Sequence, residues 1–252
     1  PHIPRNLNLS MSMRTAPVKI LWEDEHLLVI DKPPGLRSVP DGYDPELPFV
    51  ATLLGERYGP LLPVHRLDAD TSGVLLLART PEAHRALNEA FASRRVEKCY
   101  HALVEGQPTW EETKIDLPLL PDGDRRHRTL VDPRRGKPAQ TLLRVLERWR
   151  GYALLEARPL TGRTHQIRAH LAAVRLPIVA DPLYGSGRPL ELSRLKRAYR
   201  PGRSDHPLIA RTALHALQIT FPHPETGVPI TVEAPYPRDF RAAIGQLRRW
   251  AR

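Results

Sequence analysis

The stretch His65-Arg66-Leu67-Asp68-Ala69-Asp70-Thr71-Ser72-Gly73 sets an imidazole, a permanent cation and two carboxylates between apolar runs, Leu61-Leu62 before it and Val74 to Ala78 after it. Charges bounded in that way belong at the edge of a core, where an unpaired carboxylate costs on the order of a few kcal/mol. A cost of that kind is tolerated where the charge is paired or used. Two readings stand open: an Asx-type turn in which Asp68 or Asp70 caps backbone groups ahead of a strand, and a carboxylate kept for chemistry. A second cluster lies in Leu160-Thr161-Gly162-Arg163-Thr164-His165-Gln166-Ile167-Arg168-Ala169-His170-Leu171. With Thr161 or Gly162 as N-cap and Ile167, Leu171 and Val174 on one face, this reads as a helix start. Arg163, His165, Gln166, Arg168 and His170 then crowd its first two turns, where the positive end of the helix dipole favours a phosphate or a carboxylate. A solvated basic face is the plainer reading of this segment alone. Two polar clusters, each bounded by apolar packing, suggest instead one shared cleft.

The elements that must position these clusters read as a mixed α/β chain. Residues 1–16 are polar, Pro-containing and aperiodic, and are expected to be a disordered or cloning-derived tail; residues 17–252 are expected to form one catalytic domain. Val18 to Trp22 and His26 to Ile30 are predicted strands, ended by Lys32-Pro33-Pro34-Gly35 because proline supplies no N–H. Gly73 to Arg79 is a predicted buried strand. From Pro81 to Arg94 the set Ala83, Ala86, Leu87, Ala90 and Phe91 recurs at helical spacing, with Pro81 in the first turn. Tyr100, Ala102 and Val104 alternate with His101, Leu103 and Glu105 as a strand does. Thr141 to Trp149 and Tyr152 to Arg158 make a predicted hairpin across Arg150-Gly151, and Ala213 to Phe221 with Val228 to Glu233 a second one, turning at Glu225-Thr226-Gly227. A closing helix runs from about Arg238 to Trp250. Strands and helices do not alternate regularly, so an α+β fold with a largely antiparallel sheet is expected over a doubly wound parallel one.

Composition narrows the partner. Over 252 residues, 38 Lys and Arg face 28 Asp and Glu, leaving a formal charge of +10. An excess of this size favours a polyanion, nucleic acid or an acidic membrane surface. No apolar run approaches the roughly 20 residues that a spanning helix needs, and the first residues show no apolar signal segment. A single cysteine, Cys99, excludes an internal disulfide framework and a cysteine-based metal cluster. The expectation is a cytoplasmic protein that handles nucleic acid. Two basic stretches stand out: Arg125, Arg126, Arg128, Arg134, Arg135 and Lys137, and Arg188, Arg194, Lys196, Arg197, Arg200 and Arg203. Charge runs are commonly solvated loops. These lie among Gly and Pro outside the expected sheet, and Arg134, Arg135, Lys137, Arg194, Lys196 and Arg197 are taken as candidate nucleic-acid contacts.

The chemistry-bearing segments resemble those of the RluA-type RNA pseudouridine synthases. The resemblance rests on His65-Arg66-Leu67-Asp68 with Thr71-Ser72-Gly73, on Lys98-Cys99-Tyr100-His101-Ala102, on Gly162-Arg163-Thr164-His165-Gln166-Ile167-Arg168, on Asp181-Pro182-Leu183-Tyr184-Gly185 and on Leu214-His215-Ala216. All five occur in the family's order, and together they span roughly residues 18 to 240. Ala69 stands where the family often has lysine, and Ala180 where glycine is common. The small S4-like module that some members carry is not found in this sequence.

The resemblance implies the pseudouridine synthase fold, a mixed sheet with flanking helices and a central RNA-binding cleft. It implies isomerisation of uridine in ribosomal or transfer RNA with no cofactor and no metal, and we expect a monomer. By similarity Asp68 is the nucleophile or base at the sugar, Arg168 its basic partner, and Tyr100 the residue against the uracil. Ile167 would wall the base pocket, and Arg66 would fill the space that an extruded base vacates. His65 is expected to orient its loop by hydrogen bonds, and Arg163 and His165 to contact substrate. His165 and His170 are expected on backbone or phosphate rather than metal, being five apart and not four. Two rival readings remain. Asp68-Ala69-Asp70 superficially offers the D-x-D pair of a magnesium-dependent aspartate phosphatase, and a catalytically silent RNA-binding protein could use the same fold.

Overall fold

In the computed structural model the described residues are 18–251 apart from 41, 43, 45, 46, 197, 198 and 200–205. The tail over residues 1–16 and the candidate RNA contact Arg197, with Arg200 and Arg203, lie outside the described residues. Along the chain run β1 (Lys19–Glu23), β2 (Leu27–Lys32), α1 (Val50–Tyr58), β3 (Leu62–Pro63), β4 (Ser72–Ala78), α2 (Pro81–Ala92), β5 (Glu97–Glu105), β6 (Glu112–Asp116), β7 (Leu119–Leu120) and β8 (Leu130–Val131). They are followed by β9 (Gln140–Trp149), β10 (Tyr152–Pro159), α3 (Gln166–Ala173), α4 (Leu192–Leu195), β11 (Leu214–Pro222), β12 (Pro229–Glu233) and α5 (Arg238–Trp250).

The main sheet has the order β1-β2-β4-β11-β5-β10-β9-β6, with β3 beside β4 and β12 beside β11. Its pairings are antiparallel except for a short parallel contact of β4 with β11. Both expected hairpins form, as β9–β10 and β11–β12. The largely antiparallel α+β reading therefore holds.

β2 and β4 are central strands buried on both sides, which is why Leu27 to Ile30 and Val74 to Ala78 read as unbroken apolar runs. Alternate residues separate their contacts. Leu27, Val29, Val74 and Leu76 meet Ala83, Leu87 and Ala90 of α2, whereas Leu28, Ile30, Leu75 and Leu77 meet Val50 of α1 and Leu67 of the acidic segment. Leu67 thereby anchors that segment in the core. Thr80 caps α2 by accepting from the Ala83 N–H at 3.1 Å, with Pro81 in the first turn as expected. The opposite half of the sheet is closed by α5, whose Phe240, Ile244 and Leu247 share a core with Leu103, Leu155 and Leu171.

Gly73 is required where β4 meets β11. Its φ is +111°, and a Cβ there would sit 2.1 Å from the Ala216 carbonyl oxygen. Any side chain would force apart the two strands that bring Thr71 and Leu214 to the site.

One element starts later than its sequence predicts. Thr161 and Gly162 are not the N-cap of α3, which begins at Gln166 with His165 as N-cap in the left-handed region at φ +51°. The Gln166 side chain is the reason. Its Oε1 accepts from the Thr161 hydroxyl at 2.7 Å and from the Arg163 N–H at 3.0 Å, which folds residues 161–165 into a loop on the helix end. Arg163 and His165 therefore project from this loop and not from helical turns. The apolar pattern also leaves α1 and β6 to β8 unassigned. α1 carries Val50, Thr52 and Gly55, poor helix formers whose position is set by burial of Val50.

Candidate active site

Asp68 enters the site on the loop between β3 and β4, and Arg168 on the first turn of α3, one hundred residues later. The Arg168 Nη1 donates to Asp68 Oδ2 at 2.9 Å. Its other edge grips Asp181 in a fork, Nε to Oδ2 at 2.7 Å and Nη2 to Oδ1 at 2.9 Å. Exposure of the three side chains is graded, 22% for Asp68, 7% for Arg168 and 0% for Asp181. Burial opposes the guanidinium charge, but the hydrogen bonds and charge of Asp181, with those of Asp68, outweigh it and hold Arg168 protonated. Asp181 is desolvated too, yet Arg168 and the Leu183 and Tyr184 N–H groups lower its pKa. Asp181 thus fixes Arg168 from below while Asp68 keeps one oxygen toward the cleft. Tyr184 covers the guanidinium, its ring centroid 5.1 Å from Cζ.

The turn at Asp68 is closed by backbone, Thr71 N–H to Asp68 O at 3.0 Å. Neither the Asp68 nor the Asp70 side chain caps a backbone N–H among the described residues, so the Asx-turn reading fails. Lys32, wholly buried, gives its three donors to the carbonyls of Pro33 at 3.0 Å, Leu36 at 2.7 Å and Ala69 at 2.8 Å. Burial lowers it to about 7. Behind the same loop Arg211 donates to the Asp70 carbonyl at 2.8 Å and is itself held by Asp239 of α5. The loop is therefore pinned from two sides.

A cleft of about 540 Å³ runs over this loop between α2, β5 and the segment before α3. His65, Arg66, Asp68, Tyr100, Arg163, His165, Ile167 and Arg168, all singled out in the sequence, line it together. His65 accepts from the Leu76 N–H at Nε2, 3.0 Å, and stacks on Phe91. Burial, aided by Lys98, pushes it down to about 3, so it is neutral. Tyr100 is raised by burial and then by the Asp68 charge, so its phenol keeps its proton. His165 shares its Nδ1 with the Tyr184 hydroxyl at 3.1 Å and sets Nε2 3.8 Å from Asp68. Arg66 is exposed. Arg163 donates to Pro138 O at 3.2 Å, tying the cleft wall to the basic turn that holds Arg134, Arg135 and Lys137. That turn is organised by Asp132, which accepts the Arg134 and Arg135 N–H groups at 2.9 Å.

His170 is not available to phosphate. It is fully buried between the Thr141 hydroxyl and the Leu117 carbonyl, each at 2.9 Å, so of its two expected partners only backbone is met. Arg194 and Lys196 stand apart from the cleft; Lys196 lies over the Trp250 ring at 4.6 Å. The sequence reading assigns no role to Asp181, Lys32 or Arg211. The signal for Asp181 is a carboxylate directly after the apolar run Ile178-Val179-Ala180. Lys32 and Arg211 act on backbone carbonyls, which no residue pattern reveals. No helix among the described residues is long and apolar enough to cross a membrane.

Comparison with known proteins agrees with this geometry. Residues 26–173 match the model of the RNA pseudouridylate synthase family. An uncharacterized RNA pseudouridine synthase of Zymomonas mobilis is 41% identical, over 88% of this chain and 95% of its own. The dual-specificity RNA pseudouridine synthase RluA of Escherichia coli is 38% identical, over 86% of this chain and 92% of its own. The human RNA pseudouridylate synthase domain containing 4 superposes with a TM-score of 0.70 at 27% identity, covering 91% of this chain and 93% of the other. The chain belongs to the RNA pseudouridine synthases of the RluA family, isomerases that convert uridine in RNA to pseudouridine.

Proposed function

We propose that this protein modifies uridine in ribosomal or transfer RNA, with Asp68 acting at the ribose C1′ of a nucleotide extruded into the cleft. The observation that carries the reading is the Asp181–Arg168–Asp68 chain, which aims one partly exposed carboxylate into a cleft whose other charged lining residues are Arg and Lys. Arg168 orients Asp68 and offsets its charge. Tyr100 and Ile167 form the wall against which the uracil rests. Arg66, exposed at the mouth, fills the stack that the uracil leaves, and His65 holds the loop through Leu76. Arg163, with Arg134, Arg135 and Lys137 beside it, takes the flanking phosphates. Two relatives point to the RNA class. One is named a ribosomal large subunit pseudouridine synthase D, from Xanthomonas campestris, 40% identical over 92% of this chain and 70% of its own; the other is the dual-specificity enzyme above.

The test is Asp68→Asn, which keeps shape and removes charge. Unmodified transcripts of large-subunit ribosomal RNA and of transfer RNAs serve as substrates, and pseudouridine is read by nucleoside chromatography. Wild-type protein is expected to form pseudouridine and Asp68→Asn none above background, with RNA binding retained. Turnover by Asp68→Asn removes Asp68 from the chemistry. RNA binding without product in the wild type leaves a silent RNA-binding protein on this fold.

A further inference from the structure

Lys98 is a half-buried cation with no counter-charge among the described residues. It lies two residues before Tyr100 on β5, so strand alternation puts both side chains on one face, and both line the cleft. Its ammonium rests against the backbone of Thr161 and Gly162, donating to Thr161 O at a long 3.4 Å; a Cβ on Gly162 would lie 3.8 Å from Nζ. No carboxylate among the described residues comes within ion-pair distance of it. The other interior cations differ. Arg168 holds two carboxylates, Arg211 holds Asp239, and each Lys32 donor has its own carbonyl. Lys98 keeps two donors and a full charge unspent. Burial lowers it to about 8, which still leaves it mostly protonated at neutral pH. A desolvated ammonium without a counter-charge is costly, and an anion arriving beside it relieves that cost.

The reaction makes such an anion at this depth. When the C1′–N1 bond breaks, its electron pair stays on the uracil and spreads from N1 to O2 and O4. C1′ is meanwhile bonded to the Asp68 carboxylate, or forms a double bond to C2′ as Asp68 takes the C2′ proton. On rejoining through C5 those electrons form the C5–C1′ bond, as the Asp68–C1′ bond breaks with its pair returning to the carboxylate, or as Asp68 gives its proton back to C2′; C5 then loses its proton and N1 gains one, so the product is an isomer of the substrate. Phosphates stay with the strand at the mouth, near Arg66 and Arg163, whereas the detached ring lies inside, against Tyr100. We propose that Lys98 is a catalytic residue that donates to a uracil carbonyl oxygen and stabilises the detached uracil anion. The inference rests on the function proposed above.

Lys98→Met and Lys98→Arg test it on the transcripts that wild-type protein modifies, with thermal melting as the check on folding. A single preorganised donor to a developing anion contributes about 100- to 1000-fold in kcat. Lys98→Met is expected to lose that much in kcat, with KM and RNA affinity within about threefold. Lys98→Arg, still charged, is expected to recover at least about tenfold of the loss. Weakened RNA binding with unchanged kcat at saturation would assign Lys98 to a phosphate and overturn the proposal. Failure of Lys98→Met, Lys98→Arg and Lys98→Gln all to fold would overturn it as well, since the ammonium would then belong to the scaffold. Wild-type protein that forms no pseudouridine counts against the function itself; wild-type activity with undiminished kcat in Lys98→Met counts against Lys98 alone.

Discussion

On one face of β5, with Cys99 beside it, His101 belongs to a row of polar side chains that crosses six strands. The register runs Glu112, Arg144, Glu156, His101, His215, Ser72, each directly opposite the next. On the other face, Lys98 and Tyr100 look into the cleft. Both faces hold buried titratable groups, and residue type does not tell them apart. Partner occupancy does. In the row, Glu156 is bound by Arg144 at 3.0 Å and Arg158 at 2.9 Å, and the two arginines bring it down to about 2 against its burial. His101 is bonded to the Tyr236 hydroxyl, while His215 accepts from Ser72 at 3.0 Å and donates to Ala234 O at 3.1 Å. Cys99, His101 and Glu156 come within 4.8 Å of one another, a set suited to a metal by type. Glu156 is committed to its arginines, and burial followed by the Glu156 charge pushes the Cys99 thiol up to about 12, so no thiolate is on offer. In the cleft, by contrast, Arg66, Arg94, Lys98 and Arg163 face the single carboxylate Asp68, which is already bound to Arg168. Charges matched by an internal counter-charge stabilise the sheet; the cleft cations that lack one among the described residues await the substrate.

The largest effect that tests this contrast comes from removing one arginine on each face. Arg168→Met strands Asp181, which is fully buried, and frees Asp68. Breaking a buried pair in this way costs on the order of 3–5 kcal/mol, and turnover should fall at least about 100-fold, or roughly 2.7 kcal/mol of barrier. Arg144→Met removes a half-exposed partner and leaves Glu156 with Arg158, so its cost is at most about 1 kcal/mol with turnover unchanged. Urea unfolding and pseudouridine formation, measured on both variants, check the pair. Equal losses of activity would erase the distinction between the faces.

A smaller and pH-dependent effect separates the histidines. Burial lowers His101 and His215 to about 4 and His65 to about 3, from an ordinary 6.5. The unfolded chain therefore binds more protons than the folded one between about pH 6.5 and 4. The part of the stability that these histidines contribute is fully present above 6.5 and is lost as the pH falls through that window. In His101→Gln, which cannot titrate, the fall should be shallower by up to about 1.4 kcal/mol per pH unit. Urea midpoints taken at pH 7 and pH 4.5 measure it; identical slopes in wild type and variant would mean that His101 is already charged in the fold.

How much of this was legible in the sequence follows from what each residue's partner is. Strands and helices set by apolar period, such as α2, α5 and the β9–β10 hairpin, are readable because burial acts on side chains in register. Asp68, Tyr100 and Arg168 are readable as a set through family resemblance, and their meeting in space follows from the fold. The start of α3 is not readable, because one glutamine side chain outcompetes an ordinary cap. Nor are Lys32 and Arg211, whose partners are carbonyls brought near by tertiary structure. Ala180 shows a middle case: its φ of +58° explains why glycine is common there, but the residue itself gives no sign of a left-handed position. The polar row across the sheet is invisible along the chain, since its members come from six separate strands.

Two neighbours give the finest test, because they sit on the two sides of the comparison. Thr71 is buried at the cleft wall, and its hydroxyl has no hydrogen-bond partner among the described residues. Ser72 points into the polar row, where its hydroxyl is bonded to His215 at 3.0 Å and accepts from Arg211 at 3.3 Å. An unsatisfied buried hydroxyl costs roughly 1–3 kcal/mol, whereas a satisfied one contributes about 1 kcal/mol. Thr71→Val keeps the branched shape, removes the unmet hydroxyl, and should raise stability by about 1 kcal/mol. Ser72→Ala leaves the His215 Nδ1 without a donor and should lower stability by about the same amount. Turnover should move the other way in the first variant, since a hydroxyl that no protein group uses is free for the bound nucleotide. Thermal melts of the two variants, each set against wild type, give the signs. Destabilisation by both substitutions would mean that the Thr71 hydroxyl has a partner in the free protein, and the cleft would then be as fully satisfied at that point as the opposite face.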